Sequence, residues 1–221
     1  MTENVSVLVH SGREVIYNLF YRAFIDSPKE DLYAMLEELV PRLGEFGEDK
    51  LQEGVDRLKS LLQERSAAEK TDEFDLDMRR DYTRILCLTD SAPGMESYYV
   101  SPERLAMQEA RDEVLGYYSE FEMKKSAVYK EYEDFIANEM HFMSYMAKLT
   151  TEAELANDRA RIEELVRAQY NFLKEHPLRW IPQFTAKVNA YKEAERIYGP
   201  LAVIMSEFII GDASFLEELL G

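Results

Sequence analysis

The chain has 221 residues, and its 43 aspartate and glutamate side chains exceed its 26 lysine and arginine side chains, giving a formal net charge of −17. This balance disfavours nucleic acids and anionic membrane surfaces as partners and favours basic ones. The single cysteine, Cys87, excludes an internal disulfide and a zinc site built from several cysteines, so a reducing cytoplasm fits the chain best.

The first predicted elements are all helices. The N-terminus has no basic stretch followed by an apolar run, so we expect a cytoplasmic protein that is not exported. Ser11 and Glu14 have the spacing of a capping box at the start of a first helix, and residues 27–30 start a second helix that Pro41 ends. A third apolar stripe follows, and a fourth helix is predicted over about residues 76–88.

A loop separates these helices from the next ones. Residues 89–100 have no helical period and contain Pro93 and Gly94 at their centre, which predicts a structured loop. A helix restarts after Ser101, and residues 116–123 form the predicted boundary between two lobes.

Residues 128–149 predict one long helix with two different faces. One face is an apolar stripe that contains Glu139, so this buried carboxylate should be held by an arginine, a tyrosine hydroxyl or main-chain N–H groups. The opposite face carries four side chains that a partner could reach: Asp134, Asn138, His141 and Tyr145. The helix therefore predicts both a core element and a recognition surface.

The C-terminal part also follows a helical period. Thr151 with Glu154 forms a further capping box, Pro182 starts another helix, and residues 201–210 are nearly all apolar, which predicts a buried helix. No segment approaches a run of about 18 uncharged apolar residues, so no stable membrane insertion is expected.

No alternating strand pattern persists in the sequence, which predicts an all-α fold. We expect a single helical domain of about ten helices over residues 1–221, consisting of two closely packed lobes. The N-terminal lobe should cover about residues 1–120 and the C-terminal lobe about residues 121–221.

Catalytic motifs are missing from the sequence. None of the three histidines, His10, His141 and His176, has a glutamate three residues away, as the helical ligand pairs of a di-iron bundle require. Glu139 and His141 are two residues apart and point to different helix faces, so they are not a metal pair. The sequence has no glycine-rich phosphate loop and no G-x-S-x-G elbow. We predict no enzyme activity, no metal and no cofactor.

Three segments carry motifs in a fixed order: D-Y-T-R-I-L at residues 81–86, P-G-M-E-S-Y-Y at residues 93–99 and E-D-F-I-A-N-E-M-H-F-M at residues 133–143. They resemble the E-Y-x-R-L-F, P-P-Y-E-S-V-Y and P-D-H-L-x-x-E-L-x-F-M motifs of the TorD/DmsD/NarJ family. Further positions look like the family's C-terminal F-L-x-x-H-L-x-x-W-x-P-x-F pattern and the residues after it: Leu173, His176, Trp180, Pro182, Phe184 and Tyr198. The resemblance covers most of the chain from Asp81 onward.

This resemblance implies a TorD-like cytoplasmic chaperone that matures molybdenum-containing redox enzymes. Such a chaperone binds the catalytic subunit, often through its twin-arginine signal peptide, and assists cofactor insertion and assembly before export. A twin-arginine peptide is basic and then apolar, so an acidic rim beside an apolar groove would suit it. Weak nucleotide binding is suspected for relatives, but no motif of this chain supports it. Both a monomer and a domain-swapped homodimer are compatible with the family.

The motif segments supply the candidate peptide-binding residues. They are Tyr82, Ile85, Leu86, Met95, Glu96, Ser97, Tyr99, Asp134, Phe135, Asn138 and His141. We expect Asp134 and Glu96 to form the acidic rim, and Glu139 to pair with Arg84 as a structural buried charge. Phe135 stands where the family has a histidine, which changes any role of that residue in binding. The alternative interpretation is an acidic helical adaptor that binds a basic protein unrelated to redox enzymes.

Overall fold

The computed structural model describes residues 2–43, 49–88, 90–124, 128 and 130–221. Ten α-helices make up most of these residues: α1 Thr2–Ile25, α2 Glu30–Leu43, α3 Asp49–Ala67, α4 Thr71–Tyr82, α5 Glu96–Val100, α6 Glu109–Glu120, α7 Ile136–Leu155, α8 Arg159–Glu175, α9 Pro177–Val188 and α10 Tyr198–Leu220. A π-helical turn, Thr83–Cys87, follows α4, and a 3₁₀ turn, Lys192–Glu195, precedes α10. The described residues form no β-strand, and the predicted all-α fold is confirmed.

The core lies between helices that are distant in sequence. α1 packs along α7, and α10 packs against α3, α8 and α9, so helices from both halves of the chain share one core. Its largest fully buried side chains are aromatic and include Trp180, Tyr17, Tyr33 and Tyr198. The two predicted lobes are thus in close contact, and the division near residue 120 stays a prediction.

Several predicted helix ends in the N-terminal half are wrong. α1 begins at Thr2, so the Ser11–Glu14 pair lies inside the helix. Residues 2–11 contain no glycine or proline to stop the helix there. Pro41 lies inside α2, which continues to Leu43. A proline in the last turn removes only one hydrogen bond, which the surrounding packing can offset.

The predicted loop and the helix after it are also revised. The loop of residues 89–100 contains the short helix α5, and α6 begins at Glu109 instead of near Ser101. The predicted helix over residues 128–149 begins only at Ile136, because Phe135 has an extended backbone (φ −80°, ψ 135°). Phe135 forms an antiparallel bridge with Met95. The two residues are far apart in sequence, so a local sequence pattern could not predict this contact.

The C-terminal helices begin at other capping residues than predicted. α7 runs past Thr151 to Leu155, and Asp158 caps α8 by accepting a hydrogen bond from the Arg161 N–H at 3.1 Å. α9 begins at Pro177, because proline is favoured at the first position of a helix. Pro182, predicted to start this helix, lies inside it.

The last helix, α10, is buried as predicted from its apolar sequence. By length and composition it is also the one described helix that could cross a membrane, yet 61% of its apolar window is buried inside the fold. A core helix of a soluble protein has the same properties.

Candidate functional site

The second and third motif segments meet in a joint between residues 94–97 and residues 134–136. The Asp134 main-chain carbonyl accepts a hydrogen bond from the Glu96 N–H at 2.9 Å, and the Gly94 carbonyl accepts one from the Ile136 N–H at 2.7 Å. The Asp134 carboxylate Oδ2 also accepts from the Ser97 N–H at 2.9 Å. These bonds place the start of α5 beside the start of α7.

Glycine is required at position 94 because the two chain segments of this joint approach closely. A Cβ atom there would lie 2.8 Å from Phe135 Cε2 and 3.1 Å from Ile136 Cγ2. Distances of this size are steric overlaps, so any larger side chain would push the joint apart.

Three carboxylates, Glu96, Asp134 and Glu139, are fully buried around this joint. A hydrogen bond of 2.8 Å joins His176 Nδ1 to Glu96 Oε2, and Trp180 Nε1 donates to Glu139 Oε2 at 3.1 Å. One oxygen of each carboxyl group has no hydrogen-bond partner in the described part of the chain. We call Glu96, Asp134, Glu139, His176 and Trp180 the buried cluster.

Burial raises the pKa values of two carboxyl groups of the buried cluster, Glu139 and Glu96. Burial raises the pKa of Glu139 well above its ordinary value, and the charges of Glu96 and Asp134 raise it further. Burial also raises the pKa of Glu96, against the opposing effect of His176 and Arg179. Glu139 and Glu96 therefore release their protons at a higher pH than the same groups would in water.

The predicted pairing of Glu139 with Arg84 is wrong, although the burial of Glu139 is confirmed. Arg84 is exposed in the π-helical turn, where it lies 3.4 Å from Asp90 Oδ1 and near the ring of Tyr191. The partner of Glu139 is the indole of Trp180. An arginine on an exposed turn keeps its hydration, whereas burying it beside Glu139 would cost that hydration.

The prediction that one face of the long helix is open to a partner is also wrong for Asp134 and Asn138. Asp134 and Asn138 are buried, since the chain before α7 folds back over this face and the joint covers it. Asn138 Nδ2 donates to the Tyr132 carbonyl at 2.6 Å and so holds that chain segment in place. Asp134 and Glu96 therefore cannot form a solvent-exposed acidic rim.

The first motif segment forms a more accessible surface. Tyr82, Leu86 and His141 are half-buried, and Tyr132 is exposed. The Tyr82 hydroxyl donates to the Phe24 carbonyl at 3.3 Å, and Tyr21 stacks on His141 at 4.6 Å between ring centroids, which places both at the end of α1. We call Tyr82, Leu86 and His141 the Leu86 surface.

Acidic residues lie around the Leu86 surface. Burial raises the pKa of Cys87, and the negative charges of Glu131 and Asp26 raise it further, so both carboxylates are close to the end of the π-helical turn. The other predicted site residues differ in their burial. Ile85, Ser97 and Phe135 are core residues, whereas Met95 and Tyr99 are half-buried.

Two cluster residues, His176 and Trp180, lie in the C-terminal motif pattern but are not among the candidate peptide-binding residues. They are four residues apart across the start of α9, so their side chains lie on one side of the helix, where His176 contacts Glu96 and Trp180 contacts Glu139. That spacing was the available signal. Over the described ranges, no group of three or more histidine, cysteine, aspartate or glutamate side chains could hold a metal ion.

The described residues thus form an all-helical protein in which two distant motif segments meet at one joint. The family model described as nitrate reductase delta subunit matches residues 48–186. This match covers more than half of the chain, which therefore belongs to that family. The resemblance inferred from the motifs is confirmed.

Three relatives have chaperone names. The perchlorate reductase assembly chaperone protein of Dechloromonas aromatica is 32% identical over 108 residues, which are 49% of this chain and 46% of that protein. The selenate reductase assembly chaperone protein of Thauera selenatis is 30% identical over 88 residues, 40% of this chain and 45% of that protein. The chaperone protein TorD of Vibrio cholerae is 23% identical over 225 residues, which cover 99% of this chain and 98% of that protein. The first two matches span about half of those relatives' lengths.

Proposed function

We propose that this protein is a chaperone that binds the catalytic subunit of a molybdenum-containing oxidoreductase in the cytoplasm, through its twin-arginine signal peptide. Binding there would assist cofactor insertion and assembly before export. The observation that carries the proposal is family membership together with the meeting of the motif segments at one joint.

The physical properties of the Leu86 surface support this proposal. A twin-arginine peptide has a basic region followed by an apolar stretch. The half-buried Leu86 and Tyr82 would contact apolar side chains, and nearby acidic residues such as Asp26 and Glu131 would attract basic ones. The net charge of −17 would speed the encounter with a basic peptide.

The client can be identified by purifying the protein from its native cells and determining the bound chain by mass spectrometry. We expect the catalytic subunit of a molybdenum oxidoreductase. A bound basic protein unrelated to redox enzymes would instead support the adaptor interpretation and reject the proposal.

The contact surface can be tested with Leu86→Ser and a synthetic signal peptide of the captured subunit. Losing one partly buried leucine contact should weaken binding by roughly tenfold, measured by calorimetry. Leu155→Ser is the matched control, because Leu155 is 67% exposed at the far end of α7. Equal affinities of wild type and Leu86→Ser would exclude the Leu86 surface from recognition.

A further inference from the structure

A surface pocket of about 430 Å³ lies between α6, the end of α8 and the start of α9. The side chains that matter here are Glu113, Tyr117, Glu120, Glu175, His176 and Arg179. None of them belongs to the Leu86 surface, and only His176 belongs to the buried cluster. We call this cavity the α6–α9 pocket.

Negative charge dominates the α6–α9 pocket. Three glutamates line it against one cation, Arg179, which lies 3.9 Å from Glu113 Oε2 and donates its hydrogen bond to the Glu175 carbonyl. The Tyr117 hydroxyl donates to Glu175 Oε2 at 2.6 Å. Burial raises the pKa of Tyr117, and Glu175, Glu120 and Glu113 raise it further, so all three charges converge on this hydroxyl.

A buried carboxylate lies directly behind the pocket wall. The Glu96 side chain is fully buried, and its Oε2 is joined to His176, which lines the pocket. Its Oε1 has no hydrogen-bond donor within the described residues, and the nearby cation is Arg179 at 3.9 Å. This distance is too long for a hydrogen bond, so Glu96 Oε1 is a buried acceptor without a donor among the described residues, and it lies beside the Arg179 side chain that lines the pocket.

We propose that the α6–α9 pocket binds the guanidinium group of an arginine in the client peptide. A guanidinium has five donors in a planar fork that match carboxylate oxygens, and its plane packs on aromatic rings such as Tyr117. The inference rests on the proposed function, because it assigns one basic side chain of the same peptide to a second place on the protein.

The chain offers a direct probe, since it has only three histidines. His176 reports on the α6–α9 pocket, His141 on the Leu86 surface, and the buried His10 serves as a reference. The peptide acetyl-Gly-Arg-Arg-Gly-amide is titrated at constant pH while the imidazole resonances are followed by NMR. We expect a saturable shift of His176 and no shift with the matched peptide that contains citrulline, the uncharged analogue of arginine.

Variants then test the carboxylates. Glu113→Gln combined with Glu120→Gln removes two exposed rim charges and should weaken the His176 titration by roughly threefold to tenfold. Glu37→Gln combined with Glu38→Gln removes the same charge from exposed positions on α2 and should leave the titration unchanged.

The inference is overturned if His176 does not shift, if the citrulline peptide shifts it equally, or if both double variants weaken binding alike. A shift of His141 without His176 would remove this inference and leave the proposed function standing. A shift of His176 without His141 would support the pocket, and the Leu86→Ser experiment would still decide on the Leu86 surface, because this peptide has no apolar stretch. The citrulline comparison uses the wild-type protein, so it tests whether the pocket binds a guanidinium even if a double variant fails to fold.

Discussion

Glu139 is a carboxyl group whose pKa the fold raises well above its ordinary value. It lies in the apolar stripe of α7, fully buried, with the Trp180 indole as its hydrogen-bond donor. The stripe predicted this burial from the sequence, because a helical period places each residue on a face. The partner could not be predicted, since Trp180 is 41 positions away and only tertiary packing brings it close.

Replacing Glu139 should change how stability depends on pH. Its folded-state pKa is raised above the ordinary 4.5, so the folded protein holds a proton that the unfolded chain releases. The free energy of unfolding therefore falls as pH rises above 4.5, until the raised pKa is reached. Glutamine has no such proton. Above about pH 5, the stability of Glu139→Gln relative to wild type should increase by about 1 kcal/mol per pH unit until the raised pKa of Glu139 is reached.

Urea unfolding at several pH values measures this difference. Glu139→Ala should be measured alongside Glu139→Gln, because alanine leaves the Trp180 N–H without an acceptor and creates a cavity. It should cost about 2–3 kcal/mol near pH 5. A pH-independent difference between Glu139→Gln and wild type would mean that Glu139 is ionised in the folded protein.

The joint between α5 and α7 is the element on which the site depends. Helical periodicity predicted the existence of most helices, but it misplaced the start of α7 by eight residues relative to Val128. The reason is physical: Phe135 leaves the helix to pair with Met95, and a local pattern contains no information about a distant partner. The same pairing explains why Asp134, predicted on an open face, is buried.

Gly94→Ala should loosen this joint. The added methyl group would overlap the ring of Phe135 at 2.8 Å, and we expect a loss of about 1–3 kcal/mol of stability, measured by thermal or urea unfolding.

Gly116→Ala on α6 is the matched control for this substitution. No atom lies within 4 Å of the position of its added Cβ, so the exchange should be neutral or stabilising by up to about 1 kcal/mol. If Gly94→Ala were as stable as Gly116→Ala, the joint would be able to widen without cost.

At the scale of the whole molecule, one buried ion pair links the first helix to the last. Arg13 Nε donates to Asp212 Oδ1 at 2.5 Å, its Nη2 donates to Oδ2 at 2.9 Å, and the Tyr17 hydroxyl donates to Oδ2 at 2.6 Å. Burial, and then the charge of Arg13, lowers the pKa of His10 to about 4, so at neutral pH its ring can accept from Arg13 Nη1 at 3.0 Å. No motif of the sequence predicted this link, because its members are 199 positions apart.

Asp212→Asn should destabilise the whole domain, because it leaves the buried Arg13 charge without its counter-ion. We expect a loss of about 3–5 kcal/mol in urea unfolding. Replacing both partners, Arg13→Met with Asp212→Leu, should recover most of that loss, since no buried charge remains. Glu164→Gln breaks the exposed pair with Arg161 and should change stability by less than about 1 kcal/mol. A small effect of Asp212→Asn, comparable with this control, would mean that water reaches Arg13 and that packing alone holds α1 against α10.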